Sequence, residues 1–68
     1  MGDNWTLVFS STQRFIVDIY HGVLKDNNIE SVIVDKKDSM YLFGSVELYV
    51  RVENAFEARQ LIEKTDSE

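Results

Sequence analysis

The apolar residues of this chain change their spacing near Ser10, and that change dictates the first two elements. Residues 5–10 alternate with a period of two, with Trp5, Leu7 and Phe9 on one side and Thr6, Val8 and Ser10 on the other. This alternation is typical of a strand with one buried face. Beyond Ser10 the apolar residues recur at spacings of one, three and four, which predicts a helix that follows the strand almost at once.

The first helix is predicted to begin at a capping box. Ser10 or Ser11 can cap it, and Ser10 with Gln13 has the spacing at which a hydroxyl and an amide each satisfy a free backbone N–H. The apolar stripe comprises Phe15, Ile16, Ile19, Tyr20, Val23 and Leu24. Gly22 costs about 1 kcal/mol relative to alanine, so either another group packs closely there, which is the favoured interpretation, or the helix merely tolerates glycine at this position. Where the helix ends, Asn28 is predicted to adopt the left-handed conformation.

Two further strands and a second helix follow. Residues 29–35 contain the β-branched run Val32-Ile33-Val34, which predicts a second strand. The third strand alternates most clearly, with Val46, Leu48, Val50 and Val52 against Glu47, Tyr49 and Arg51. Glu53 and Asn54 open the last helix, whose apolar stripe comprises Ala55, Ala58, Leu61 and Ile62. Residues 1–4 and 65–68 are expected to fray, because the tail has nothing to bury.

The order strand, helix, strand, strand, helix (βαββα) predicts an α+β two-layer sandwich of the truncated ferredoxin-like, split βαβ kind. In that topology the first and third strands are neighbours, and both helices cover one face of a three-stranded sheet. The usual fourth strand is missing, so the first strand lies at an edge that can pair with another chain. We expect residues 1–68 to form a single domain.

Composition excludes several classes of function. The 68 residues include no cysteine and one histidine, so disulfides and the common zinc sites are excluded, and no cofactor is expected. Seven basic and twelve acidic residues give a net charge of −5, which disfavours nucleic-acid binding. The apolar runs are far shorter than the ~20 residues of a membrane span, and residues 1–4 lack the features of a signal peptide. We therefore expect a soluble cytoplasmic protein with no membrane partner.

Five segments carry a resemblance to a known family. They are residues 5–10 (WTLVFS), 24–29 (LKDNNI), 34–41 (VDKKDSMY), 43–50 (FGSVELYV) and the closing pattern of Ala55, Ala58 and Leu61. Over nearly its whole length the chain resembles the bacterial domain of unknown function two thousand and seven, often labelled a signal-transducing protein, in the form common among Bacteroidetes. The resemblance implies a fold similar to that of the trimeric PII nitrogen regulators, and by analogy a regulatory or ligand-sensing role. It supplies no catalytic residues.

Two positions depart from the pattern of that family. Asn28 stands where the family usually has glycine, and asparagine tolerates the left-handed conformation well enough to replace it. Near the start of the first helix, Phe15-Ile16-Val17 replaces the usual alanine and acidic pair. This replacement makes one side of the helix bulkier.

Lys36, Lys37 and Ser39 are the candidate ligand-binding residues. Two ammonium groups and a hydroxyl on one loop can converge on an anion such as phosphate. The loop has no glycine-rich stretch of the kind that cradles phosphates with backbone N–H groups. The alternative interpretation is a solvated turn in which Asp38 partly neutralises the lysines.

Trp5, Tyr41 and Tyr49 are the candidate interface residues. Tyr49 is predicted to lie on the sheet face without helices, where aromatic side chains often mark a partner surface. The alternative is a scattered surface tyrosine, which is common. His21, with Asp18 one turn earlier, is the candidate for a general base. Because no nucleophile or second histidine accompanies it, an exposed helix histidine is favoured and an enzyme is not expected.

The size of the chain bears on its function. A core below ~70–80 residues rarely supplies more than about 3–5 kcal/mol, and without cysteine the remaining means of stabilisation is oligomerisation. We therefore expect a non-enzymatic regulatory or protein-interaction module that forms a homo-oligomer or binds another protein through the open sheet face or the first-strand edge. The alternative is a sensor of a small anionic metabolite that binds through the loop from Lys36 to Ser39.

Overall fold

The fold is known from a computed structural model, which describes residues 4–36 and 45–67. The elements in chain order are strand β1 (Trp5–Ser11), helix α1 (Arg14–Asp26), strands β2 (Ser31–Asp35) and β3 (Val46–Arg51), a 3-10 turn (Val52–Asn54) and helix α2 (Ala55–Ser67). The prediction of an α+β fold with the order βαββα is confirmed.

Strand β3 is the centre of the sheet. It pairs antiparallel with β1 on one side and with β2 on the other, which gives the strand order β1-β3-β2. Strands β1 and β2 therefore run parallel to each other, and α1 is the crossover between them. The prediction that the first strand neighbours the third and lies at an edge of the sheet is confirmed.

The core lies on one face of the sheet, beneath both helices. Every second residue of β3 points into it, and Val46, Leu48 and Val50 are completely buried. The other buried members are Val17, Tyr20 and Leu24 of α1, Ile29, and Ala58 and Ile62 of α2. Full burial of a valine or leucine side chain contributes about 1.5–3 kcal/mol, so this alternation in β3 is a major source of stability.

Helix α1 buries a different face from the predicted one. Val17, which the predicted stripe left out, is completely buried, whereas Phe15 is 60% exposed and Ile19 is 53% exposed. Five of the six residues from Phe15 to Tyr20 are apolar, so their spacing is compatible with more than one buried face. Packing against β3 decides between these faces.

The start of α1 differs from the predicted capping box. Ser10 lies inside β1, and the N-cap residue is Gln13, whose side chain makes no capping hydrogen bond. The hydroxyl of Ser11 instead accepts a hydrogen bond from the backbone N–H of Gln13 at 3.1 Å. The close contact favoured at Gly22 is also wrong: apart from its chain neighbours and the adjacent backbone of its own helix, no described atom lies within 4 Å of the position that a Cβ would occupy.

The end of α1 agrees with the prediction. Asn28 has φ of 63°, so its left-handed conformation is confirmed. Its N–H donates to the carbonyl of Lys25 at 3.0 Å, and the N–H of Ile29 donates to the carbonyl of Leu24 at 2.9 Å. These are the two hydrogen bonds of a Schellman motif, and the buried Leu24 and Ile29 are its apolar pair.

The end of β3 differs from the prediction for Val52. This residue lies in the 3-10 turn and is 55% exposed, so it does not continue the inward alternation of the strand. Helix α2 begins after that turn and continues to Ser67, and the hydroxyl of Thr65 donates to the carbonyl of Leu61 at 2.9 Å. Residues 65–67 are therefore helical, and their fraying stays a prediction.

Candidate functional site

A bulge in β1 decides which side chains reach the sheet face opposite the helices. Leu7 lies opposite Tyr49, and Phe9 lies opposite Leu48, so Val8 is an extra residue without a partner in the register. Leu7 therefore shares the face of Tyr49, while Phe9 shares the buried face of Leu48. We call the face that carries Leu7 and Tyr49 the open face, because no described element packs on it.

The bulge overturns the predicted alternation of the first strand. Trp5 and Phe9 were expected on one face, but they lie on opposite faces of the sheet. Phe9 packs in the core edge-on against Tyr20, with ring centroids 4.5 Å apart and ring planes at 74°. Trp5 lies opposite Arg51 and belongs to the open face.

The open face consists of three rows of side chains, each crossing the sheet from β1 through β3 to β2. The middle row is Leu7, Tyr49 and Val32; the arginine row is Trp5, Arg51 and Glu30; the glutamate row is Ser10, Glu47 and Val34. Neighbouring rows are two residues apart along β2 and β3, a separation of about 7 Å, whereas on β1 the bulge places Leu7 and Ser10 three residues apart. The side chain of Lys36 reaches into the glutamate row, because its ammonium lies 3.1 Å from Oε1 of Glu47.

The arginine row is held by one guanidinium group. Cζ of Arg51 lies 4.9 Å from the ring centroid of Trp5, a cation–π contact that contributes about 0.5–1 kcal/mol at an exposed site. Nε of the same side chain donates to Oε1 of Glu30 at 3.2 Å. Arg51 therefore fixes an indole on β1 and a carboxylate beside β2 at the same time.

The glutamate row is organised around one carboxylate. The hydroxyl of Tyr49 donates to Oε1 of Glu47 at 2.8 Å, and the side chain of Glu47 is only 17% exposed. The hydrogen bond from Tyr49, followed by the one from Lys36, lowers the pKa of Glu47 below its usual value. Hydrogen bonding to Glu47 raises the pKa of both Lys36 and Tyr49. At neutral pH the carboxylate of Glu47 therefore lies between the ammonium of Lys36 and the protonated phenol of Tyr49 from the middle row.

The predicted interface residues are brought together in part. Trp5 and Tyr49 lie on the open face in neighbouring rows, as the prediction for Tyr49 required. Tyr41 lies outside the described residues. The role of these residues in binding a partner stays a prediction.

The predicted anion site can be assessed only at Lys36. Its ammonium is paired with Glu47 on the open face, which leaves it less able to bind an anion. Lys37 and Ser39 lie outside the described residues. The convergence of the three groups on a ligand stays a prediction.

The candidate general base does not gain the support expected from the sequence. Asp18, proposed to orient His21, lies 3.6 Å from Nε of Arg14, and Arg14 also reaches Asp35 at 3.5 Å. Within residues 4–36 and 45–67, no three His, Asp or Glu side chains are grouped so as to hold a metal ion. In the same two ranges, neither helix is long and apolar enough to cross a membrane.

Several residues of the open face were missed from the sequence alone. Leu7, Val32 and Val34 were interpreted simply as strand residues, and Arg51 as a polar position. The alternation of Val32 and Val34 about Ile33 was a signal for which of them share a face. Their place beside Tyr49 depends on cross-strand register, which local spacing does not reveal.

The edge of β1 carries a further contact that sequence reasoning missed. Nη2 of Arg59 in α2 donates to the carbonyl oxygen of Leu7 at 3.3 Å, immediately before the bulge. A bulge and a covering side chain both make an edge strand less able to pair with another chain. This edge is therefore partly blocked, whereas the open face is not covered by any described element.

Comparison with known proteins gives a match to a family model. No curated protein and no solved structure matches the chain. The family model DUF2007, described as "Putative prokaryotic signal transducing protein", matches residues 5–66. That span begins with β1 and reaches the last turn of α2, so it contains the whole sheet and all three rows of the open face. Because the match covers nearly all of the 68 residues, the chain belongs to the DUF2007 family.

Proposed function

We propose that the chain is a non-enzymatic regulatory module that acts in the bacterial cytoplasm by binding a protein through the open face of its sheet. The description of the family supports signal transduction in general terms. The observation that carries the proposal is the middle row, in which Leu7, Tyr49 and Val32 form an apolar strip across a sheet face that no described element covers. The proposal also includes that the chain is of the form of this family common among Bacteroidetes.

The composition of the open face supports a binding role. Trp, Tyr and Arg are the residue types most enriched at the energetic centres of protein interfaces, and Trp5, Tyr49 and Arg51 lie side by side here. Leu7 adds a large apolar side chain that is 39% exposed. Apolar groups gathered on one face lose contact with water when a partner covers them, which favours binding.

The fixed conformation of these side chains also supports binding. Arg51 holds Trp5 and Glu30, while Glu47 holds Tyr49 and Lys36. Ordering a flexible side chain at an interface costs about 0.5–1.5 kcal/mol, and contacts made before binding reduce that cost. The side chains of the open face are therefore ordered before a partner binds, whereas the edge of β1 is partly blocked.

The alternative function, sensing of an anionic metabolite, has less support. Of its three candidate residues only Lys36 is described, and its ammonium is paired with Glu47. A thermal-shift screen with inorganic phosphate, nucleotides and dicarboxylic acids tests it. An increase in melting temperature that is lost in Lys37→Ala would favour the sensor, and no shift with any compound would count against it.

The proposed function is tested by photo-crosslinking in bacterial cells that express the full chain. A benzophenone amino acid replaces Leu7 on the open face in one variant and Phe56 on α2 in a matched control, since Phe56 is 74% exposed and lies outside the three rows. We expect abundant adducts with protein from position 7 and few from position 56. Equal yields at the two positions, or adducts from position 56 alone, would contradict the proposal.

A further inference from the structure

The charges of the open face are arranged so that the face is complementary to itself. We propose that the protein bound there is a second copy of this chain, stacked face to face with its strands reversed. This inference rests on the proposed function of the open face and names its partner. It is carried by the order of charges along β3 and β2.

The charges change sign from one end of each strand to the other. On β3 the open face reads Glu47, Tyr49, Arg51, so a carboxylate and a guanidinium flank the middle row at equal distances. Beside β2 the signs are reversed, because the carboxylate of Glu30 lies next to Arg51 and the ammonium of Lys36 lies next to Glu47. Glu30 is two residues from Val32 and Lys36 is four, but the Lys36 side chain reaches the glutamate row, so the two rows carry opposite charges on β3 and beside β2.

A twofold axis along the middle row brings opposite charges of the two copies together. With the axis in the plane between two stacked sheets, β3 lies over β3 with reversed direction, and β2 lies over β2. Arg51 of one copy then faces Glu47 of the other, and Glu30 faces Lys36, so all four contacts are attractive. The two middle rows meet at the axis, where Leu7, Tyr49 and Val32 of both copies bury one another.

The other twofold arrangement is disfavoured by the same charges. An axis parallel to the strands would place Arg51 over Arg51 and Glu47 over Glu47. Like charges brought together at an interface repel each other and weaken binding. Aligned packing of two sheets at about 30° is compatible with either axis, so the charges alone select the reversed arrangement.

The distribution of charge fits a second copy. The chain carries a net charge of −5, so two copies repel each other over most of their surface. Among the described residues, the charged side chains of the open face are two cations and two anions, so this part of the surface is neutral.

The experiment is sedimentation velocity on the purified full chain over a concentration series. The wild type is expected to sediment as a dimer, a species of twice the chain mass. Glu47→Arg places two positive side chains at each β3 contact of the dimer, and Arg51→Glu places two negative ones, so each variant alone is expected to dimerise about tenfold more weakly or worse. Phe56→Lys, a drastic change outside the open face, is the matched control and should leave the dimer unchanged.

Mixing the two charge variants is the decisive step. In a mixed pair both β3 contacts join opposite charges. The contacts that each substitution removed within its own chain stay broken, so a recovery of dimerisation can come only from contacts between chains. A heterodimer in the mixture, with both variants folded by circular dichroism, supports the proposal. A mixture that stays monomeric overturns it, as does a wild type that is monomeric at concentrations on the order of 1 mM.

Two other outcomes separate this inference from the proposed function. A dimer that persists in both charge variants but is lost in Phe15→Lys would place the interface on α1 and overturn the face-to-face arrangement. A monomeric wild type whose position 7 crosslinks to a different protein would overturn the second copy as partner and leave the proposed function standing. Failure of both the dimer and the crosslinks would remove both proposals.

Discussion

The hydroxyl of Tyr49 donates a 2.8 Å hydrogen bond to Oε1 of Glu47, two residues earlier on the same face of β3. The ammonium of Lys36 lies 3.1 Å from the same oxygen, so a single carboxylate oxygen joins the end of β2 to the centre of the sheet. Because the side chain of Glu47 is only 17% exposed, solvent screens these contacts less than it screens a surface pair. Glu47 is therefore both a structural residue and part of the proposed interface.

The first prediction concerns stability in acid. The pKa of Glu47 is lowered in the folded chain from its ordinary 4.5, first by Tyr49 and then by Lys36. At pH values above 4.5 Glu47 is ionised in both the folded and the unfolded chain, and its contribution to stability is complete. As pH falls, the unfolded chain binds a proton at this residue first, so the contribution decreases. It is fully lost once pH is below the pKa of the folded chain. Urea unfolding should show a steeper acid loss for the wild type than for Glu47→Gln.

Tyr49→Phe provides the control for that prediction. It removes the largest cause of the lowered pKa and should cost about 1 kcal/mol at neutral pH, in the range of a single hydrogen bond. Its acid loss should lie between those of the wild type and Glu47→Gln. Measurements at a concentration below self-association keep the dimer out of the comparison. Parallel acid profiles for wild type and Glu47→Gln would show that the carboxylate makes no such contribution.

The second prediction concerns the end of α1. A left-handed conformation costs an ordinary side chain about 1–2 kcal/mol, and Asn28 holds φ of 63° at the position that glycine fills most easily. Asn28→Ala should therefore lower the free energy of unfolding by about 1 kcal/mol, whereas Asn28→Gly should match or exceed the parent. Lys25→Ala, in the last helical turn, is the control and should change little. Equal stabilities for the alanine and glycine variants at position 28 would contradict the prediction.

The features predicted correctly from the sequence are those that local chemistry fixes. Asn28 was predicted because a helix end needs a residue that tolerates positive φ, and the face of Tyr49 because β3 alternates strictly. The buried face of α1 was wrong because apolar residues surround most of its first two turns, and only packing on β3 selects Val17 over Phe15. The bulge at Val8 carries no glycine or proline to signal it.

The arrangement of the open face required non-local information. Leu7, Tyr49 and Val32 are distant in the chain and meet only through the pairing registers of β1 and β2 with β3. A shift of one residue in either register would move these side chains to the other face. Strand positions were therefore accessible from the sequence, whereas the three rows and their reversed charges were not.

The third prediction concerns Gly22. Apart from its chain neighbours and the adjacent backbone of its own helix, no described atom lies within 4 Å of the place where its Cβ would be, so a methyl group can be added without a clash. Gly22→Ala should raise the free energy of unfolding by about 1 kcal/mol, because alanine loses less backbone entropy in a helix. Chemical denaturation measures the difference directly. A loss of stability would contradict this prediction and would support the close contact that the sequence favoured.

The fourth prediction concerns the edge of β1, where Arg59 donates to the carbonyl of Leu7 at 3.3 Å. Arg59→Ala should cost less than about 1 kcal/mol, since an exposed hydrogen bond is exchanged for one to water. The larger effect should be on association, because the variant leaves an edge carbonyl open to strands of other chains.

Light scattering tests this fourth prediction in a Glu47→Arg background, where the proposed face-to-face dimer is weakened. Arg59→Ala should form large species with time, while Arg59→Lys, which retains a cationic donor, should form fewer. Phe56→Ala in the same background controls for a general change in the surface of α2. If Arg59→Ala stays as monodisperse as its parent, the bulge at Val8 protects the edge without help from Arg59.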